Sequence, residues 1–252
     1  MGETSDHRGR VRVERSPKRI RALLGGHLVA DSIEARLVWE NPHVPVYYLP
    51  GRDVEARLEP TGRVEHSPSR GDGQVFDVVV PGGLAPEGAR AYPDSPIEDL
   101  RQLVRFEWDA LDEWLEEDEP VYVHPRNPYT RVDILNSSRH VRVEIDKVAV
   151  ADSDQPRILF ETGLPPRYYL PLSHLRTELL RPSTTVSHCP YKGTATYWSL
   201  EVGGRLYEDH AWTYRAPLPE SQKIAGLVSF YNEKVDLFVD GTPLERPRTP
   251  FS

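Results

Sequence analysis

Pro45-Val46-Tyr47-Tyr48-Leu49-Pro50 returns later in the chain as Pro166-Arg167-Tyr168-Tyr169-Leu170-Pro171. Upstream of it, Trp39-Glu40 returns as Phe160-Glu161. Leu28-Val29-Ala30-Asp31-Ser32 returns as Val150-Ala151-Asp152-Ser153, after a slip at its start. The matches share one spacing of 121 residues, as between Tyr48 and Tyr169. Chance rarely supplies a common offset over separate segments. One structural unit is therefore written twice, and the 252 residues divide into two domains of about 100 to 120 residues each.

Composition suggests where the units begin and end. Residues 1–18 are polar and mixed in charge, with Gly2, Gly9 and Pro17, and are expected to form a flexible tail. A divergent first domain is expected over 19–122 and an ordered connector over 123–139, where two prolines interrupt any periodicity. The second domain is expected over 140–244, with a closing tail at 245–252. The two domains are expected to pack as an internal pseudo-dimer.

Both copies read as β-structure. Val141, Val143 and Ile145 alternate with Arg142 and Glu144, the period of a half-buried strand, before a turn at Asp146-Lys147. Gly203-Gly204 makes a tight turn between strands running from about Ala195 to Tyr214. Pro219–Ile224 holds a short helical turn. The stretch from Ile97 to Glu119, read alone, is an amphipathic helix, with Leu100, Leu103, Val104, Leu111 and Leu115 among acids. Its counterpart VSFYNEKVDLFVDG is rich in β-branched and aromatic residues, and two copies should share one fold. Val104–Trp108 and Leu111–Trp114 are therefore expected as the strands of a hairpin, with Trp114 matched to Phe238 and a short helix before them.

Charge and cysteine usage exclude several functions. A net charge of -8 with scattered arginines supplies no basic field for nucleic acid. One cysteine, Cys189, excludes an intramolecular disulfide and a multi-cysteine zinc site. No apolar run reaches membrane-spanning length, so no membrane partner and a cytoplasmic location are expected. The glycine pairs Gly25-Gly26 and Gly82-Gly83 are turn residues; no phosphate loop or dinucleotide fingerprint is present. The acidic run Glu116-Glu117-Asp118-Glu119 reads as a solvated hairpin edge that resists aggregation.

The second copy carries YYLP, HCPYKGTATYWSLEVGG, AWTY and VSFYNEKVDLF in sequence. Together these resemble domain-of-unknown-function family 427, in two tandem copies covering nearly the whole chain. The resemblance implies an all-β, mostly antiparallel fold: two tent-like domains with few short helices and a groove between leaning sheets. It implies no particular activity.

His188-Cys189-Pro190-Tyr191-Lys192-Gly193 is the densest cluster of reactive groups. Neighbouring positive charge favours a thiolate, which makes His188 and Cys189 candidates for acid–base and nucleophilic roles. A small-molecule groove would be lined by Tyr168, His188, Tyr191, Lys192 and Trp198, with Lys192 meeting an anionic group. Tyr197 and Trp212 would extend its aromatic floor, and Glu161 or Asp209 could orient the histidine. The same residues also suit ordinary packing, because cysteines and strand aromatics are commonly buried. The first copy reads HSPSRG at the matching place, keeping His66, Pro68, Arg70 and Gly71 but losing the thiol to Ser67 and the ring to Ser69. Any single site therefore belongs to the second domain. His174, His188 and His210 lack metal-motif spacing, and no metal or cofactor is expected. Three readings remain open at this point: a small-molecule-binding module, an enzyme using His188 and Cys189, and a purely structural interaction protein.

Overall fold

The computed structural model describes residues 11–249. The chain divides into two compact units, 1–127 and 128–252. The first contains strands β1 (Arg12–Arg15), β2 (Ile20–Leu24), β3 (His27–Ser32), β4 (Arg36–Trp39), β5 (Val46–Pro50) and β6 (Arg57–Ser67). It continues with β7 (Gly71–Val80), β8 (Gly83–Ala91), β9 (Leu103–Phe106), β10 (Glu113–Glu116) and β11 (Glu119–Pro120). The second contains β12 (Val132–Asn136), β13 (Val141–Ile145), β14 (Val148–Ser153), β15 (Arg157–Glu161), β16 (Arg167–Tyr169) and β17 (Leu180–Cys189). It continues with β18 (Gly193–Val202), β19 (Arg205–Tyr214), β20 (Val228–Phe230), β21 (Asp236–Val239) and β22 (Thr242–Pro243). The helical elements within the described residues are short 3-10 turns.

The two units share one wiring diagram. In the first, β1-β4-β5-β9-β8-β7-β6 form a seven-stranded sheet and β11-β10-β2-β3 a four-stranded one. In the second, β14-β13-β21-β22 repeats the smaller sheet, while β12-β15-β16 and β17-β18-β19-β20 repeat the larger one in two pieces. Leu170 and Val228 exchange backbone hydrogen bonds of 2.8 and 2.9 Å across the gap, as Leu49 and Val104 pair in the first copy. All these named strand pairings are antiparallel. Tyr48 faces Arg36 across the ladder, and Tyr169 faces Arg157, which preserves the 121-residue spacing in three dimensions.

Alternation decides what each strand buries. β13 has Val141, Val143 and Ile145 buried, and β2 has Ile20, Ala22 and Leu24 buried. These residues meet the inward face of the large sheet: Tyr47, Leu49, Val78 and Phe106 in the first unit, Tyr168, Leu170, Leu200 and Phe230 in the second. A full burial of such side chains contributes about 1.5–3 kcal/mol each, so this interior dominates stability. A smaller cluster covers the opposite face of each large sheet. It holds Val38, Tyr48, Tyr92, Leu100 and Leu103 in the first unit, and Leu159, Tyr169, Ala195, Trp212, Tyr214 and Ile224 in the second.

The expected boundaries and one expected hairpin differ from the structure. Arg12–Arg15 is an edge strand paired with β4, and Val132–Asn136 is paired with β15, so neither lies in a tail or a connector. Their short sequences, the charged RVER and VDILN with only Ile134 buried, hid them, because an edge strand buries little. The part of the expected tail over residues 1–10 lies outside the described residues, as do 250–252. In the stretch Ile97–Glu119 strands replace the helix, as the repeat argues. β9 and β10 nevertheless do not pair: β9 joins β5 and β8, while β10 joins β2 and β11. A 3-10 turn at Trp108–Ala110 carries the chain from one sheet to the other. Local alternation cannot distinguish a hairpin from such a crossover. The ladders also shift the alignment there by one residue, matching Trp114 to Leu237 rather than Phe238.

Glu116 corrects the reading of the acidic run. It is buried, accepts a hydrogen bond from the Tyr47 hydroxyl at 2.5 Å, and pairs with Lys18. Glu117, Asp118 and Glu119 are exposed. Among the described residues, no helix is long and apolar enough to cross a membrane.

Candidate binding site in the second domain

The HCPYKG segment forms the turn between β17 and β18. His188 pairs with Thr194 and Cys189 with Gly193, leaving Pro190, Tyr191 and Lys192 at the apex. Gly193 has φ of +92°, the left-handed region that strains any residue with a Cβ, so glycine is required to close the turn. The apex rests against the 3-10 segment Pro219–Ile224. Ser221 Oγ donates to the Tyr191 carbonyl at 3.2 Å, and the Leu218 amide donates to the Lys192 carbonyl at 3.2 Å.

Lys192 is turned inward. Its ammonium donates to Glu161 Oε2 at 2.5 Å, with both side chains about one-tenth exposed. The first copy repeats this pair with Arg70 and Glu40 at 2.6 Å. There the Tyr48 hydroxyl lies between them, donating to Glu40 at 2.7 Å and accepting from Arg70 at 2.9 Å. A cation–carboxylate pair kept in both units, whatever surrounds it, holds the turn to the edge of β4 or β15. Lys192 thus has a structural partner before any ligand arrives.

The predicted lining residues separate according to strand face. Tyr168 lies in the inward core and Trp198 packs against that core. Tyr197 and Trp212 belong with Tyr169 and Tyr231 on the opposite face. His188 is exposed, its Nδ1 3.0 Å from Thr194 Oγ1, and Tyr191 is buried at the turn. Cys189 is half-buried. As consecutive residues of one strand, His188 and Cys189 project to opposite sides, which does not favour an acid–base and nucleophile pair. His174 and His210 are engaged elsewhere, with Ser153 Oγ and the Glu208 carbonyl, both at 2.8 Å. Among the described residues, no group of three or more His, Cys, Asp or Glu side chains could hold a metal ion.

What the outward face does assemble is an aromatic cluster. Trp212 lies 4.5 Å from Tyr231 and edge-on to Tyr169 at 6.2 Å between ring centres, while Tyr197 stacks on Tyr231 at 6.5 Å. Trp212 Nε1 donates to the Tyr169 hydroxyl at 3.1 Å. The Tyr197 hydroxyl is 2.8 Å from Ser187 Oγ and 3.3 Å from the Tyr231 hydroxyl. Burial raises the phenol pKa values of Tyr169, Tyr214 and Tyr231, so all three stay protonated and neutral. Tyr169 and Tyr231 escaped the sequence reading. The YY doublet was visible, but nothing local says which of two neighbouring rings faces out.

Three of the four matched ladder positions in the first unit carry charge. Arg90 stands where Trp212 does, Glu107 where Tyr231 does, Val75 where Tyr197 does, and Glu65 where Ser187 does. Arg90 bridges Glu65 at 2.6 Å and Glu107, and Arg105 bridges Glu107 and Glu40, the latter at 3.0 Å. A closed network of ion pairs in one copy is a patch of rings and hydroxyls in the other.

Comparison with known proteins agrees with the internal repeat. The family model described as domain of unknown function 427 matches residues 12–117 and again 133–241. These limits begin at β1 and within β12, the two strands that composition concealed. No curated protein matches the chain.

Proposed function

Since the chain belongs to the domain-of-unknown-function 427 family through two tandem copies, we propose that it is a small-molecule-binding protein whose site lies in the second domain. The binding surface in this reading is the outward face of the β17–β20 sheet. Tyr197, Trp212 and Tyr231 supply the aromatic surface, and Tyr191 and Lys192 edge it at the hairpin turn, while His188, next to outward-facing Ser187 on β17, projects from the other side. Trp198 acts from the inner side of the same sheet and Tyr168 from the inner side of the adjoining β12-β15-β16 sheet, fixing the strands that carry those rings.

One observation carries the reading: Arg90, Glu107 and Glu65 of the first copy are Trp212, Tyr231 and Ser187 at the matched ladder positions of the second, and Val75 is Tyr197. Ion pairs such as Arg90–Glu65 saturate one another and leave little to offer. Half-buried Tyr197 and Tyr231, with hydroxyls linked in a row, offer flat apolar area and orientable donors. A planar ligand with one or two polar edge groups suits that surface.

The test is mass spectrometry of small molecules released from gently purified protein, compared with a Tyr197→Ala, Tyr231→Ala double variant and with His188→Ala. A compound carried by the wild type and lost from the double variant is the expected result. Equal recovery from all three proteins, or no compound above a blank, would overturn the proposal.

A further inference from the structure

The crossovers from β9 to β10 and from β20 to β21 can be aligned residue by residue. Trp108–Ala110 matches 232–234, Leu111 matches Val235, and Glu113 matches Asp236, leaving Asp112 as an extra residue in the first copy. Each crossover presents two acidic side chains: Asp109 and Glu113 in the first unit, Glu233 and Asp236 in the second.

The second unit supplies both carboxylates with its own guanidinium groups. Arg167 Nη1 and Nη2 donate to the two Glu233 oxygens at 2.7 Å each, and Arg246 Nη2 donates to Asp236 at 2.7 Å. The first unit has Val46 at the position of Arg167, and Val123 at the position of Arg246. The second assignment follows from matched hydrogen bonds, Val121 to Trp114 and Leu244 to Leu237, both 2.8 Å. Asp109 and Glu113 are exposed, and among the described residues neither has an ion-pair partner.

These two carboxylates edge an open concavity of about 580 Å³, together with Trp108, Trp114, Tyr122, Val123 and a third acid, Asp112, which accepts a hydrogen bond from the Gly25 amide. No Lys or Arg lines it. Trp108 and Trp114 are stacked with parallel planes, 4.9 Å between centres and 6° apart. Indole faces attract cations, and a guanidinium combines that stacking with forked donation to carboxylates.

We propose that this concavity binds a small organic guanidinium, which takes the place that the Arg246 side chain occupies in the second domain. The site lies in the first unit and is independent of the aromatic surface on the second. The ligand stacks on the half-buried Trp108 indole, which rests on buried Trp114, and donates to Asp109 and Glu113.

The experiment is a titration of full-length protein with butylguanidinium, followed by calorimetry and by the indole N–H resonances of Trp108 and Trp114. Butylammonium and butyrate are the comparison compounds. The Asp109→Asn, Glu113→Gln double variant removes only exposed carboxylates without ion-pair partners, and circular dichroism confirms that it folds. Saturable binding by the wild type is expected, tighter than for butylammonium, at least about tenfold weaker in the double variant, and absent for butyrate. Val123→Arg, which restores the second domain's internal cation, is expected to compete and weaken binding. Equal affinity in wild type and double variant would overturn the proposal, as would failure to saturate or shifts confined to other tryptophans.

Discussion

Arg167 and Glu233 form a two-pronged ion pair with both hydrogen bonds at 2.7 Å, the arginine nearly buried and the glutamate fully so. Their counterparts in the first unit are Val46 and Asp109, an apolar residue and an exposed acid. Removing one member of a buried pair strands the other without solvent. Arg167→Met is therefore expected to lower stability by about 3–5 kcal/mol, measured by urea unfolding. Arg167→Met with Glu233→Leu should recover most of that loss, because no charge is left buried.

The same pair sets a pH response. Burial alone would raise the Glu233 pKa, but hydrogen bonds from Arg167 and Thr249 hold it below the ordinary carboxylate value. A carboxyl that is more acidic in the folded state binds fewer protons there than in the unfolded chain. Its contribution is complete above the unfolded value, about 4.3, and is lost as pH falls through the folded value. The stability difference between wild type and Glu233→Gln should be constant near pH 7 and shrink below about pH 4. A difference that grows on acidification would refute this assignment.

Lys192 and Glu161 should behave as a fold contact. Lys192→Met leaves Glu161 nearly buried without its cation and is expected to cost about 3 kcal/mol. Lys192→Arg should be tolerated, since Arg70 fills the matching place against Glu40. Thermal unfolding of the two variants checks both outcomes. An unchanged midpoint for Lys192→Met would mean that the pair contributes nothing to holding the turn.

Gly193→Ala should destabilise by roughly 1–2 kcal/mol, the cost of a left-handed backbone for a residue with a Cβ. The added methyl meets Leu218 only at ordinary distances of 3.5 and 3.6 Å, so the effect is conformational rather than a clash. Gly203→Ala, in an open turn at φ of +58°, gives a comparison in which nothing lies within 4 Å. A denaturation series that separated the two variants widely would show that packing at the hairpin apex matters more than φ.

The sequence by itself determined the duplication, the all-β class and the pairings that follow from turns. Tyr48 and Tyr169 stand at one spacing because homologous ladders fix them, and Asp146-Lys147 turns the chain where Gly25-Gly26 does, all four with positive φ. Alternation is a local property, so Val141, Val143 and Ile145 could be read as an inward row without knowing what they meet. The edge strands at Arg12 and Val132 were not legible: RVER is too charged and short for an apolar row, and VDILN, with only Ile134 buried, sits beyond the prolines that break its alternation. Only the tertiary structure decided that β9 and β10 join different sheets, which rings share a face, and where the charges go. Those outcomes depend on partners up to about a hundred residues away in the chain: Lys18 and Glu116, Lys192 and Glu161, Arg167 and Glu233. A side chain's neighbour across a sheet is set by register and strand order, and neither is contained in the residues on its own strand.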